Sequence, residues 1–288
     1  MAKRMAILGL AGTFALPFIA ASAAGTAQAA DAVEIKEKIR LFNGKDLSAF
    51  DTWLAGHGLN QDPARVFTVL PHVDGAPAIR VSGEVMGGLL TKESYKNYKL
   101  VVEYRWGLVT WPGRTRSARD SGILIHSWGE PGNMAKDFKA PWGRSIEFQI
   151  IEGGVGDILL LGGFDRAGAE HKTTMKIRSR KDRDGESVYD KAAPEMDHSS
   201  FTRVNWWGRD EDWADKLDFR GPRDADSPAG AWTRLEAIVE GGSMKFFVNG
   251  KLVNEGRDSN LTEGKLLFQS ELAELYFRRI DLEPLPKS

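Results

Sequence analysis

Apolar and polar positions alternate along most of this chain in short runs that end at turn residues, the period-two signature of half-buried β-strands. Leu100-Val101-Val102-Glu103-Tyr104-Arg105 reads as a strand, as do Gly122 to His126 and Ser145 to Ile151. Thr233 to Val239, Met244 to Val248, Leu266 to Gln269 and Leu275 to Leu282 have the same character. Val248-Asn249-Gly250-Lys251 joins two of these runs, and Asn-Gly supplies the positive φ angles that a two-residue hairpin turn demands. No long stretch carries the three-to-four-residue apolar repeat of an amphipathic helix. Many short strands with turns between them predict an all-β chain folded as an antiparallel sandwich or barrel.

Two segments break the alternation. Between Phe164 and Ala231 the chain is dense in Arg, Lys, Asp and Gly, which predicts a long loop insertion at about 164–231. Trp206, Trp207 and Trp213 lie within it, and disordered segments are poor in large aromatics. The insertion is therefore expected to be ordered, as a cover beside a groove. At the other extreme, Lys3 and Arg4 precede an apolar run from Met5 to Ala20 and a small-residue stretch ending Ala27-Gln28-Ala29. That order predicts a secretory signal peptide over residues 1–30, cleaved after Ala29 or Ala30, and a periplasmic or secreted protein. The run is too short and too rich in Ala and Gly for a membrane span, so no transmembrane segment is expected in the mature chain. Residues 31–288 are expected to form a single domain, because no Pro-, Gly- and Ser-rich linker divides them.

Charge and cysteine content narrow the partners. The 288 residues carry a formal net charge of -1, and removing residues 1–30 takes two cations and no anions, leaving -3. A nucleic-acid partner would require a cationic excess, so none is expected. Without cysteine the chain has neither disulfides nor thiolate metal sites, and a packed core must supply its stability.

The strands also sort the candidate chemistry. In Ser145 to Ile151, alternation puts Ile146, Phe148 and Ile150 on one face and Glu147 with Gln149 on the other. Gln269 and Glu271 likewise share the face opposite Phe268, with Arg278 and Arg279 close behind in the next strand. Arg119-Asp120-Ser121-Gly122 opens the strand that ends in His126-Ser127-Trp128, which makes His126 the histidine best placed for proton transfer. Each feature has a plainer counterpart: a solvated carboxylate, a cross-strand ion pair, a turn, a structural histidine. Glu152-Gly153-Gly154-Val155-Gly156-Asp157 fits a simple turn best, although its two carboxylates are oxygen ligands suited to a divalent metal, and the cofactor question stays open.

Taken in order, these segments resemble the 3-keto-disaccharide hydrolase domain family. The matching elements are Leu41-Phe42-Asn43-Gly44-Lys45-Asp46-Leu47, Arg119 to Ile123, Ser145 to Gln149, Gly230 to Glu236, Phe247 to Gly250, Leu267 to Glu274 and Tyr276 to Ile280. The resemblance runs from about residue 40 to 285. It departs at Leu272, where the family has glycine after Gln-Ser-Glu, and at Ala231, where Glu or Asn is common. It implies a concanavalin A-like antiparallel β-sandwich, or jelly roll, and cleavage of glycosides already oxidised at C3, by base-assisted elimination and hydration or by hydrolysis. On that reading Glu147, Glu271 and His126 are the catalytic candidates, and Arg119, Asp120, Gln149, Gln269, Arg278, Trp128 and Trp207 bind the carbohydrate or 3-keto-glycoside. A non-catalytic, lectin-like carbohydrate-binding domain is the alternative, since one fold serves both ends.

Overall fold

A computed structural model describes residues 31–286, so the expected signal peptide lies outside the described residues. Two antiparallel sheets dominate. The first runs in the order Arg203–Val204, Ile158–Leu161, Ser145–Ile151, Asp120–Ser127, Lys265–Ser270, Gly87–Thr91, Phe50–Leu54 and Gly58–Leu59. The second runs Lys251–Gly256, Ser243–Val248, Thr233–Glu240, Tyr98–Thr110, Ala273–Glu283, Ala76–Val81 and Phe67–Val73. Residues that follow one another in sequence often lie in different sheets, as at Gln269 and Ala273, which is the crossing pattern of a concanavalin A-like sandwich. Among the described residues there is no helix, hence none long and apolar enough to cross a membrane.

The alternation in sequence builds the core directly. Ile123, Ile125, Ile146, Phe148, Ile150 and Phe268 point inward from the first sheet and are fully buried. They meet the second sheet ring to ring: Phe148 stacks on Phe246 at 4.1 Å between centroids, and Phe268 meets Phe277 edge-on at 5.6 Å. Such aromatic pairs add about 0.5–1.5 kcal/mol beyond the area they bury. The Asn-Gly hairpin forms as the sequence predicts, with Asn249 at φ 48°, Gly250 at φ 78°, and Val248 paired with Lys251.

The 164–231 insertion is not a bare loop. It contains a three-stranded sheet of Ser187–Tyr189, Thr174–Lys181 and Glu195–Ser199, and then supplies Arg203–Val204 as the edge strand of the first sheet. Trp206 is buried in the main core, and its neighbour Trp207 bonds through Nε1 to the Leu252 carbonyl at 2.8 Å. Asp157, at the end of the glycine-rich turn, accepts the Trp206 N–H at 2.8 Å and the Arg209 guanidinium. Charge-assisted bonds in a buried position hold the insertion against the side of the sandwich. The later part of the insertion also reaches the segment before Asp120, where Asp215 accepts the Ala118 N–H at 2.9 Å and lies 3.7 Å from Arg114.

Candidate active site

The outer face of the first sheet carries the chemistry, and strand register lays it out in rows. Antiparallel partners share a face, so Arg203, Leu159, Glu147, Leu124, Leu267 and Leu90 form one row across six strands. The neighbouring row holds Gln149, Gly122, Gln269 and Gly88. Leu90, Leu124, Leu161 and Leu267 are covered by Met134 and Trp142 from the connection after Asp120–Ser127. The polar residues beside this apolar patch are nearly inaccessible as well, with Glu147 4% and Gln269 1% exposed.

Beyond the glutamine row lies a group of charges. Gln149 donates from Nε2 to Asp120 Oδ1 at 2.6 Å. Arg114, on the turn that begins at Trp111, donates to Asp120 Oδ2 and to Glu271 Oε1 at 3.3 Å, which ties both carboxylates to one guanidinium. Glu271 reaches it because Leu272 adopts φ 57°, the left-handed conformation in which glycine is at ease. Leucine thus takes up here the backbone conformation that the family's glycine at this position favours.

Burial sets the protonation states. Burial pushes the Glu147 carboxyl up to about 8, with the Asp120 charge adding to the rise and Arg203 and Gln269 opposing it. Asp120 rises to about 6 through burial, held down by Arg114 and Arg203. Glu271 lies well above the usual carboxylate range, from burial first and then from the Asp120 and Glu147 charges. Arg114 is engaged by Asp120 and Glu271, and Arg203 lies 3.6 Å from Asp157. At neutral pH burial thus favours the protonated form of Glu147, and it drives Glu271 in the same direction.

The structure gathers Glu147, Gln149, Asp120, Gln269 and Glu271 on one face and places the other sequence candidates elsewhere. His126 should face outward by alternation, but its φ of 53° turns it between the sheets. There its Nδ1 lies 3.1 Å from the Leu261 carbonyl and its ring meets Tyr98 edge-on, while burial drives its pKa down to about 4. A fully buried, neutral ring with those neighbours is a core histidine. Arg119 is turned away from Asp120 and is engaged by Glu152 and Asp218, each at 2.6 Å. Arg278 belongs to the second sheet, where it bonds Glu103 at 2.6 Å and stacks on Trp232 at 4.4 Å. Trp207 packs at the far edge against Trp206, and Trp128 lies past the strand end against His171 and Arg144.

Sequence reading missed Arg114 and Arg203, since neither has a local pattern that names its partner. Gly122 was legible in part, because a glycine inside a strand marks a close approach. Glu152 and Asp157, considered above as ligands for a cation, are engaged by Arg119 and Arg209. Among the described residues no group of three or more His, Asp or Glu is arranged to hold a metal ion.

Residues 37–283 match the family model described as a 3-keto-alpha-glucoside-1,2-lyase-like domain. No curated protein matches the chain significantly. Similar solved structures include a glycosyl hydrolase-like protein of Parabacteroides distasonis ATCC 8503, 17% identical over 87% of this chain and 94% of that one, with a TM-score of 0.48. The carbohydrate-binding module CBM66 of Bacillus subtilis is 14% identical over 75% of this chain and 91% of its own, with a TM-score of 0.39. The Bacillus licheniformis beta-glucanase is 10% identical over 86% and 98%, with a TM-score of 0.42.

Proposed function

Since this chain belongs to the 3-keto-alpha-glucoside-1,2-lyase-like family, we propose that it is an exported enzyme that cleaves glycosides bearing a ketone at C3, with Glu147 as its central proton-transfer group. A C3 ketone acidifies the C2 hydrogen. A base removes that proton, the C1–O bond breaks, and its electron pair leaves on the departing oxygen, which takes up a proton as an alcohol. The sugar is left as a 1,2-unsaturated 3-ketone, and water adding its oxygen to C1 and a proton to C2 completes a net hydrolysis. The sequence requires a proton donor at the leaving oxygen, a base at C2 and a donor for the enolate.

One observation carries this reading: Glu147 is buried beside two further carboxyls, with its pKa pushed up to about 8 and the Gln269 carboxamide next to it. A domain that only bound sugar would gain nothing from three crowded carboxyls, whose desolvation is costly. In the proposed cycle Glu147 protonates the leaving oxygen. Glu271, the more accessible carboxyl beside Arg114, takes the C2 hydrogen when ionised. Arg114 and Arg203 supply the positive field.

Glu147→Gln keeps the shape and removes the transferable proton. Turnover of a 3-keto-glycoside should fall by roughly 10²-fold or more, the usual contribution of general acid-base catalysis. Near-normal turnover in that variant would overturn the assignment. N-terminal sequencing of exported protein tests the other half of the proposal, with cleavage expected after Ala29 or Ala30.

A further inference from the structure

The middle of the site is defined by a missing side chain. A Cβ built on Gly122 would collide with Glu147 Oε1 and stand 2.6 Å from Gln269 Oε1. Gly88, the next glycine in that row, likewise has no room for a Cβ beside Leu267, so the two glycines let the flanking side chains close in on either side of Gln269. Gln269 is 1% exposed, and its amide, close beside the Glu147 carboxyl, makes no other hydrogen bond; Gln149 Oε1 across Gly122 is unpartnered too. Leaving a buried amide atom unsatisfied is costly, so the unmet bonding on both glutamines beside one glycine marks a place for the polar atoms of a ligand.

Those atoms differ in what they can recognise. A ketone oxygen only accepts hydrogen bonds, whereas a hydroxyl both donates and accepts. The Gln269 amide presents two N–H donors, and its O and N ends are related by a half-turn. Even with one N–H turned toward Glu147, the second remains for a ligand. Gln149 is committed through Nε2 to Asp120, which leaves its Oε1 to accept from a neighbouring hydroxyl.

We infer that Gln269 is the residue that selects a ketone over a hydroxyl on the bound sugar, by donating its amide N–H to that oxygen, while Gln149, across Gly122, accepts from the adjacent hydroxyl. This inference rests on the function proposed above and adds to it the group that reads the oxidised carbon. The same N–H bond strengthens as the ketone becomes an enolate, so Gln269 acts on turnover as well as on binding. Gln269→Leu is close in size and removes only the polar atoms. It should fold as well as the parent, since a buried amide with unmet bonding disappears.

The test compares binding of two small probes by calorimetry: a 1-deoxy pyranose with a ketone at C3, which has no leaving group, and its C3-hydroxy counterpart. The parent should prefer the ketone by at least about tenfold, Gln269→Leu should bring the ratio close to one, and Gln149→Leu should weaken both probes alike. In turnover of a 3-keto-glycoside, Gln269→Leu should lower kcat together with kcat/KM. An unchanged ratio in Gln269→Leu, or a parent with no preference for the ketone, overturns the inference. A parent that prefers the ketone, loses that preference in Gln269→Leu and turns over no 3-keto-glycoside would support Gln269 as the selector and overturn the enzymatic reading alone.

Discussion

At the residue scale, the protonation of Glu147 ties activity and stability to pH. Folding moves this carboxyl from its ordinary 4.5 to about 8. The folded state therefore holds the proton over a range in which the unfolded chain has lost it. By linkage, the contribution to stability is complete below pH 4.5 and is lost as pH rises toward about 8. Glu147→Gln is neutral throughout and escapes that loss, so its melting temperature should exceed the parent's by a margin that widens between pH 5 and pH 8.5. Parallel curves across that range would show that Glu147 ionises freely. The same scale shows where sequence reading stopped. Glu147, Gln149 and Gln269 face outward as alternation requires, but alternation assumes extended backbone at every step. One left-handed residue at a strand end was enough to turn His126 inward.

At the element scale, strand identity was largely legible because burial on one face forces a regular pattern. The Ser145–Ile151 strand matches its prediction residue for residue, and Asp120–Ser127 and Thr233–Glu240 differ only at their ends. Sheet membership was less legible, since periodicity says which face a residue occupies and not which sheet carries it. Arg278 was misplaced for that reason: its strand pairs with Tyr98–Thr110 on the opposite side of the core. The two-residue edge strand Arg203–Val204 was hidden altogether in a polar stretch, although it delivers a positive charge to the site. Arg203 holds Glu147 down electrostatically, so Arg203→Met should raise the Glu147 pKa further. The fall in kcat/KM on the alkaline side would then begin at higher pH than in the parent. A pH profile whose alkaline limb stays in place or moves to lower pH would show that Arg203 does not act through Glu147.

At the scale of the whole molecule, the insertion and the sandwich hold each other in place. Trp206 fills the core at the edge of both sheets, while Arg209 and the Trp206 N–H converge on Asp157. Trp206→Ala should cost about 3–5 kcal/mol, as large-to-small changes of buried aromatics do, measurable by urea denaturation. A much smaller loss would mean that the insertion folds independently of the core. Aromatic content gave the expectation of an ordered segment, but the place where it packs could not be foretold, because the partners of Trp206 and Arg209 lie about 50 residues earlier in the chain. The far end of the insertion is different in kind. The turn Asp182-Arg183-Asp184-Gly185 is largely exposed, and nothing stands within 4 Å of a Cβ placed on Gly185. Its contacts to Asp212 are surface ion pairs, which contribute little. For anyone who wishes to immobilise or label this protein, that tip is the natural handle: a tag grafted between Arg183 and Gly185 hangs from the rigid flank while the buried carboxyls keep their surroundings.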